Sequence, residues 1–129
     1  MTKIVLDSSA VLAMVFCERG GEKVHAAILS PHNSISISAV NWSEVLTKLA
    51  QKSSIITAEK LTAILPGVEV VPFRQAEAEQ TATLARSCAS LSLGDRACLA
   101  LASFLEAKAW TTDRIWMQLP VNVNLEMLR

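Results

Sequence analysis

Tyrosine is absent from this chain, and three Trp and three Phe are its only aromatics. Any core must therefore be aliphatic. Cysteine is scarce too. Cys17, Cys88 and Cys98 make an odd number, stand in apolar runs and lack CxxC spacing, which argues against a disulfide framework or a zinc site and for a reducing cytosol. Neither sign of charge is in excess, with 12 Lys and Arg against 12 Asp and Glu, so the basic surplus that usually advertises a nucleic-acid binder is missing. Long hydrophobic runs are missing as well. The longest, Ala10 to Cys17, is too short to span a bilayer. The opening "MTKIVLDSS" meets Asp7 after three apolar residues, unlike a secretory signal. A cytoplasmic protein with no membrane segment is expected.

What is present is ordinary globular composition, 51% hydrophobic and 19% charged over 129 residues. That length fits one domain, 1–129, with a core of its own. No repeat, low-complexity tract or linker interrupts it. "KIVL" (3–6) reads as a buried parallel strand. Helices follow over 9–16, stopped by Gly20-Gly21, and over 22–29, closed by Ser30-Pro31. "SISIS" (34–38) alternates as a strand, and Ser38 caps a helix whose Trp42, Val45, Leu46 and Leu49 form its apolar stripe. Further elements are a helix over 57–65, a strand over 68–71, a helix over 74–89, and strands over 109–111 and 121–123. Alternating strands and helices predict an α/β sandwich: a central parallel sheet of four or five strands, covered on both faces.

"SLSLGDRACLALA" (90–102) is the stretch that points to function. It reads as a buried helix carrying Cys98, Leu99, Leu101, Phe104 and Leu105, yet its first turn holds Asp95 and Arg96. Asp95 lies three residues after Ser92, the spacing of a capping box. Asp7 and Asp113 stand at cap positions of their own, and Glu44 precedes Lys48 by four residues, an ordinary surface pair. Each acid thus has a structural reading. Together they have another, because Asp7, Asp95 and Asp113 all sit where a strand gives way to a helix or a buried helix begins. In an open α/β sheet such positions collect at the carboxyl ends of the strands, where ligands bind. Acids converging there repel one another, and a divalent cation relieves the repulsion. Oxygen ligands without His or Cys suit Mg²⁺ or Mn²⁺.

"IVLDSSAVLA", "NWSEVLTKL", "SLGDRACLALA" and "TTDRIW", in this order and spacing, resemble the PIN-domain ribonucleases, and among them the VapC-type toxins of bacterial toxin–antitoxin pairs. The resemblance covers essentially the whole chain and implies a PIN-like three-layer sandwich. It carries the family's acidic set onto Asp7, Glu44, Asp95 and Asp113, as ligands of one or two Mg²⁺ or Mn²⁺ ions. Ser9 and Thr111 match small hydroxyl positions that support a carboxylate or a water. The implied activity is endoribonuclease hydrolysis by water, leaving a 5′-phosphate and a 3′-hydroxyl. The implied partners are RNA, a second copy of the chain as a homodimer, and a small antitoxin lying along Val11 to Phe16.

Arg96 and Arg114 each follow an acid, and either contact phosphate or pair with a neighbouring carboxylate. Neither His25, in a helix, nor His32, in a turn, is placed to act as a base. A haloacid-dehalogenase-like phosphatase would need a second Asp where Ser9 stands. A response-regulator receiver would need an acidic pair before the phosphoacceptor and a late Lys, and this chain has neither. The competing reading from another class is a partner-binding PIN-fold protein with weak or no nuclease activity.

Overall fold

The computed structural model describes all 129 residues. Its elements are β1 (Thr2–Leu6), α1 (Ser8–Val15), α2 (Gly21–Leu29), β2 (Asn33–Ser38), α3 (Ala39–Gln51), α4 (Ala58–Ile64), β3 (Glu69–Val71), α5 (Gln75–Thr83), α6 (Leu93–Leu105), β4 (Lys108–Thr111) and β5 (Leu125–Met127). Short 3-10 turns occupy Leu84–Arg86 and Arg114–Gln118. The five strands form one sheet in the order β3-β2-β1-β4-β5, and every pairing is parallel.

β1 is central and buried on both faces, which explains its unbroken apolar run. Its side chains alternate between two cores. Ile4 and Leu6 join Val11, Val24, Ile37, Val45, Leu49 and Leu61 beneath α1 to α4. Val5 points the other way, to Cys98, Leu99, Ala102, Ala109 and Trp116 around α6. The result is an α/β sandwich around a five-stranded parallel sheet, as its sequence pattern predicts.

The strand order also places the site. From β1 the chain winds outward through β2 to β3, then returns to add β4 on the other side of β1. In such sheets ligands bind where the strand order reverses, and here that point brings the loops after β1 and β4 together, with Thr112 N–H reaching Ser9 Oγ at 3.1 Å.

Several local expectations need correction. Residues 121–123 are not a strand. The fifth strand is Leu125–Met127, held in register by Ala109↔Leu125 and Thr111↔Met127, while Val121 and Val123 pack half-buried against the α6 core. The helix read over 74–89 ends at Thr83 and tightens into the 3-10 turn. Thr81 and Thr83 hydroxyls there donate to the carbonyls of Glu77 and Gln80, a local competition with helical geometry. α1 ends at Val15, before the glycine pair, because Cys17 turns the chain with φ 54°. Cys17 is exposed rather than apolar in its surroundings, and Phe104 is 69% exposed rather than core.

Candidate active site

Asp7 occupies the N-cap position of α1, but its carboxylate makes no capping bond. The side chain is 3% exposed. Its Oδ2 accepts from the Ser9 hydroxyl at 2.7 Å and the Thr111 hydroxyl at 3.0 Å. Those hydroxyls are themselves oriented, because Thr112 N–H donates to Ser9 Oγ at 3.1 Å and Asp113 N–H donates to Thr111 Oγ1 at 3.0 Å. With one lone pair of each hydroxyl occupied by an amide, its proton is directed at the acid. The other carboxylate oxygen, Oδ1, is buried with no partner. A cap or turn role explains none of this.

Asp95 does form the capping box that its spacing suggests. Its N–H donates to Ser92 Oγ at 3.2 Å, and its Oδ2 accepts from Ser92 N–H at 3.4 Å. Asp113 likewise caps the 3-10 turn, its Oδ1 accepting from Ile115 N–H at 3.1 Å at an exposed position. Glu44 departs from its surface reading. It makes no ion pair with Lys48, and the one ion pair in the structure joins Arg129 to Glu18 at 3.9 Å. Its Oε1 instead accepts from Asn41 Nδ2 at 2.8 Å, and its carboxylate lies over Gly94, where a Cβ would collide with both oxygens.

The four acids act on one another through charge. Burial pushes Asp7 up to about 6; the Ser9 and Thr111 bonds oppose the rise, and the Asp95 and Glu44 charges add to it. Asp95 is raised as well, chiefly by burial, against its bonds to Ser92 and with help from Asp113 and Glu44. No three of these side chains stand close enough to encircle an ion. An ion such as Mg²⁺, which keeps several waters and takes only one or two carboxylates directly, does not require three at contact distance. The unpartnered, buried Oδ1 of Asp7 supplies the vacant hard donor such an ion requires. The Cys98 thiol is fully buried in the core around α6. Burial first, then the charges of Asp7, Asp95 and Glu44, hold it well above the usual thiol range.

The sequence model of the PIN domain matches residues 4–121. The chain belongs to the PIN domain family. Among solved structures, VapBC2 of Rickettsia felis bound to a promoter DNA fragment is similar, with TM-score 0.77, 17% identity and 98% of each chain covered. A toxin–antitoxin complex from Klebsiella pneumoniae gives TM-score 0.75 at 18% identity, again over 98% of each chain. VapC20 of Mycobacterium tuberculosis, a sarcin–ricin loop cleaving toxin, gives 0.69 at 20% identity over 89% of this chain and 93% of that one. At such identities the likeness is one of fold. Among curated proteins, none matches the chain.

In this PIN domain neither Arg96 nor Arg114, the two arginines that follow an acid, pairs with one. Arg96 donates to the Thr81 carbonyl at 3.2 Å and ties α6 to α5, and Arg114 donates to the Arg129 carbonyl at 3.1 Å. Lys48 is the one base in the groove that Glu44 lines. That open groove of about 630 Å³ is also lined by Ser43, Thr47, Gln51 and Ser92, between α3 and the start of α6. A second cavity of about 530 Å³ lies between β3, α5 and α6, and none of the four acids lines it. Asn41 is the site residue that sequence reasoning missed. The buried face of α3 is Asn41, Val45 and Leu49, not the stripe through Trp42 and Leu46, which stay half-buried. The available signal was a polar residue in phase, four and eight positions back, with two aliphatic ones.

Proposed function

We propose that this PIN domain is an Mg²⁺- or Mn²⁺-dependent endoribonuclease, the toxin of a VapC-type toxin–antitoxin pair. The observation that carries the reading is Asp7, a buried carboxyl with one oxygen saturated by Ser9 and Thr111 and the other unpartnered, within range of two more acids. Asp7, Asp95 and Glu44 hold the ion directly or through water, and Asp113 joins them from the rim. A bound divalent cation supplies Lewis-acid activation of water and neutralises charge at the phosphate. Ser9 and Thr111 fix the Asp7 carboxylate through Oδ2, which would leave Oδ1 free for a bound cation. Lys48, in the groove beside Glu44, meets the RNA backbone. Attack by water rather than the ribose 2′-hydroxyl leaves a 5′-phosphate and a 3′-hydroxyl.

Purified protein incubated with structured RNA and Mn²⁺ or Mg²⁺ should give 5′-phosphorylated fragments, and a chelator should stop the reaction reversibly. Cleavage that persists in chelator, or 2′,3′-cyclic phosphate ends, would remove the metal-hydrolysis reading. Gly94→Ala supplies a finer check. Its Cβ displaces the Glu44 carboxylate, the movable end of a side chain, while alanine in a helix adds up to about 1 kcal/mol over glycine. Cleavage should drop about tenfold, the scale of a disturbed ligand support, with melting temperature held or raised. Lost activity accompanied by lost stability would assign Gly94 to packing alone.

The antitoxin segment is proposed to lie on the half-buried Leu12, Met14, Val15 and Phe16 of the α1 region. Val11 and Ala13 are already consumed by the core. The structures of toxin–antitoxin complexes with this fold support such a partner, and homodimerisation is proposed with it. Co-purification with the product of the adjacent small gene tests the first, and light scattering at micromolar concentration tests the second.

A further inference from the structure

Asn41 is fully buried, at 0% exposure, in a helix whose other inward residues are aliphatic. Its Nδ2 spends both protons, one on Glu44 Oε1 at 2.8 Å and one on the Gly94 carbonyl at 3.0 Å. Both partners are acceptors, so the nitrogen end of the amide is settled by chemistry. Its Oδ1 is left buried with no partner. An orphaned buried acceptor is destabilising, and an aliphatic residue in phase with Val45 and Leu49 would avoid that cost. The bond to the Gly94 carbonyl ties α3 to α6, yet it leaves Oδ1 orphaned, so that tie alone is not reason enough for asparagine here.

Glu44 gives a further reason. Its carboxylate is held between the Asn41 amide and the bare Cα of Gly94, one residue before Asp95. The amide engages Oε1 only. The arrangement repeats what Ser9 and Thr111 do at Asp7, where Oδ2 is tied and Oδ1 left open. We propose that Asn41 is a positioning residue: its amide clamps one oxygen of Glu44 and turns the other toward the ion that Asp7 and Asp95 hold. The inference rests on the reading of these acids as a divalent-cation site.

The test is calorimetric titration of Mn²⁺ into the metal-free full chain, for the wild type, Asn41→Leu, Glu44→Gln and the double variant. Asn41→Leu should weaken Mn²⁺ about tenfold while melting at or above the wild-type temperature. In the Glu44→Gln background the same substitution should change Mn²⁺ affinity no further, because the group it acts through is gone. Should Asn41→Leu not fold, Asn41→Ala gives the same comparison. Unchanged affinity in the single variant, or an equal loss in both backgrounds, overturns the clamp. Asp7→Asn separates the two failures. If it abolishes binding while Asn41→Leu spares it, only the role of Asn41 falls; if it leaves binding intact, the cation site falls too.

Discussion

Asp7→Asn should cut RNA cleavage roughly a hundredfold or more, the scale of losing one preorganised electrostatic contact, while the metal-free protein melts higher than the wild type at pH 7. Activity and stability move in opposite directions because the same burial serves both. The carboxyl is about 6 in the folded chain against an ordinary 3.8, with burial the leading cause. Between those values the folded protein keeps a proton that the unfolded chain has released. Stability therefore falls as pH rises through that window and stays lower above it, by on the order of 3 kcal/mol. Asparagine does not titrate and escapes the loss. Its amide nitrogen would replace the unpartnered Oδ1 as a buried donor, which returns part of the gain. A net rise of a few degrees at pH 7 remains, shrinking toward zero near pH 4. Melting curves of both proteins from pH 4 to 8 check this, and a variant less stable at pH 7 would mean that Asp7 is held for its folding contacts.

Metal should reverse the trend in the wild type alone. An ion at Oδ1 must displace the proton that Asp7 retains below about 6, so Mn²⁺ should raise the melting temperature more at pH 7.5 than at pH 5. Equal shifts at the two pH values would place the binding elsewhere.

Asp7, Asp95 and Asp113 could be found in the sequence because a strand end or a helix start marks each position, and the parallel sheet gathers strand ends on one side. Ser9 and Thr111 were reachable only through resemblance: Thr111 meets Asp7 across 104 positions, and a serine two residues after an acid reads as a turn contact. Glu44 was harder to place. Choosing Trp42 and Leu46 for the buried stripe turned it to solvent, whereas the true stripe begins with an asparagine, which apolar periodicity counts as surface. The same limit hid the fifth strand. Three residues carry too little pattern, and their register comes from β4 rather than from their own alternation. Arg96 follows an acid, which leaves a phosphate contact and a carboxylate partner both open; one position along a helix turns a side chain by about 100°, and here Arg96 reaches toward α5 and the Thr81 carbonyl.

Asp95 is where the capping and the chemical readings coexist, and the structure lets them be pulled apart. Asp95→Asn keeps both halves of the box: its backbone N–H still reaches Ser92 Oγ, and an amide oxygen still accepts from Ser92 N–H. What it loses is charge. At a helix N-terminus that costs about 0.3–1 kcal/mol, offset here by relief from Glu44 and Asp113. Ser92→Ala does the converse, removing the cap acceptor at about 1 kcal/mol and leaving the Asp95 carboxylate in place. Cleavage should therefore fall roughly a hundredfold or more in Asp95→Asn, the loss expected at Asp7, with little change in melting. Ser92→Ala should melt several degrees lower and still cut RNA. Denaturation and cleavage measured on the two variants side by side decide the matter. An Asp95→Asn protein that is destabilised yet fully active would show that this carboxylate serves the helix, and that the ion is held without it.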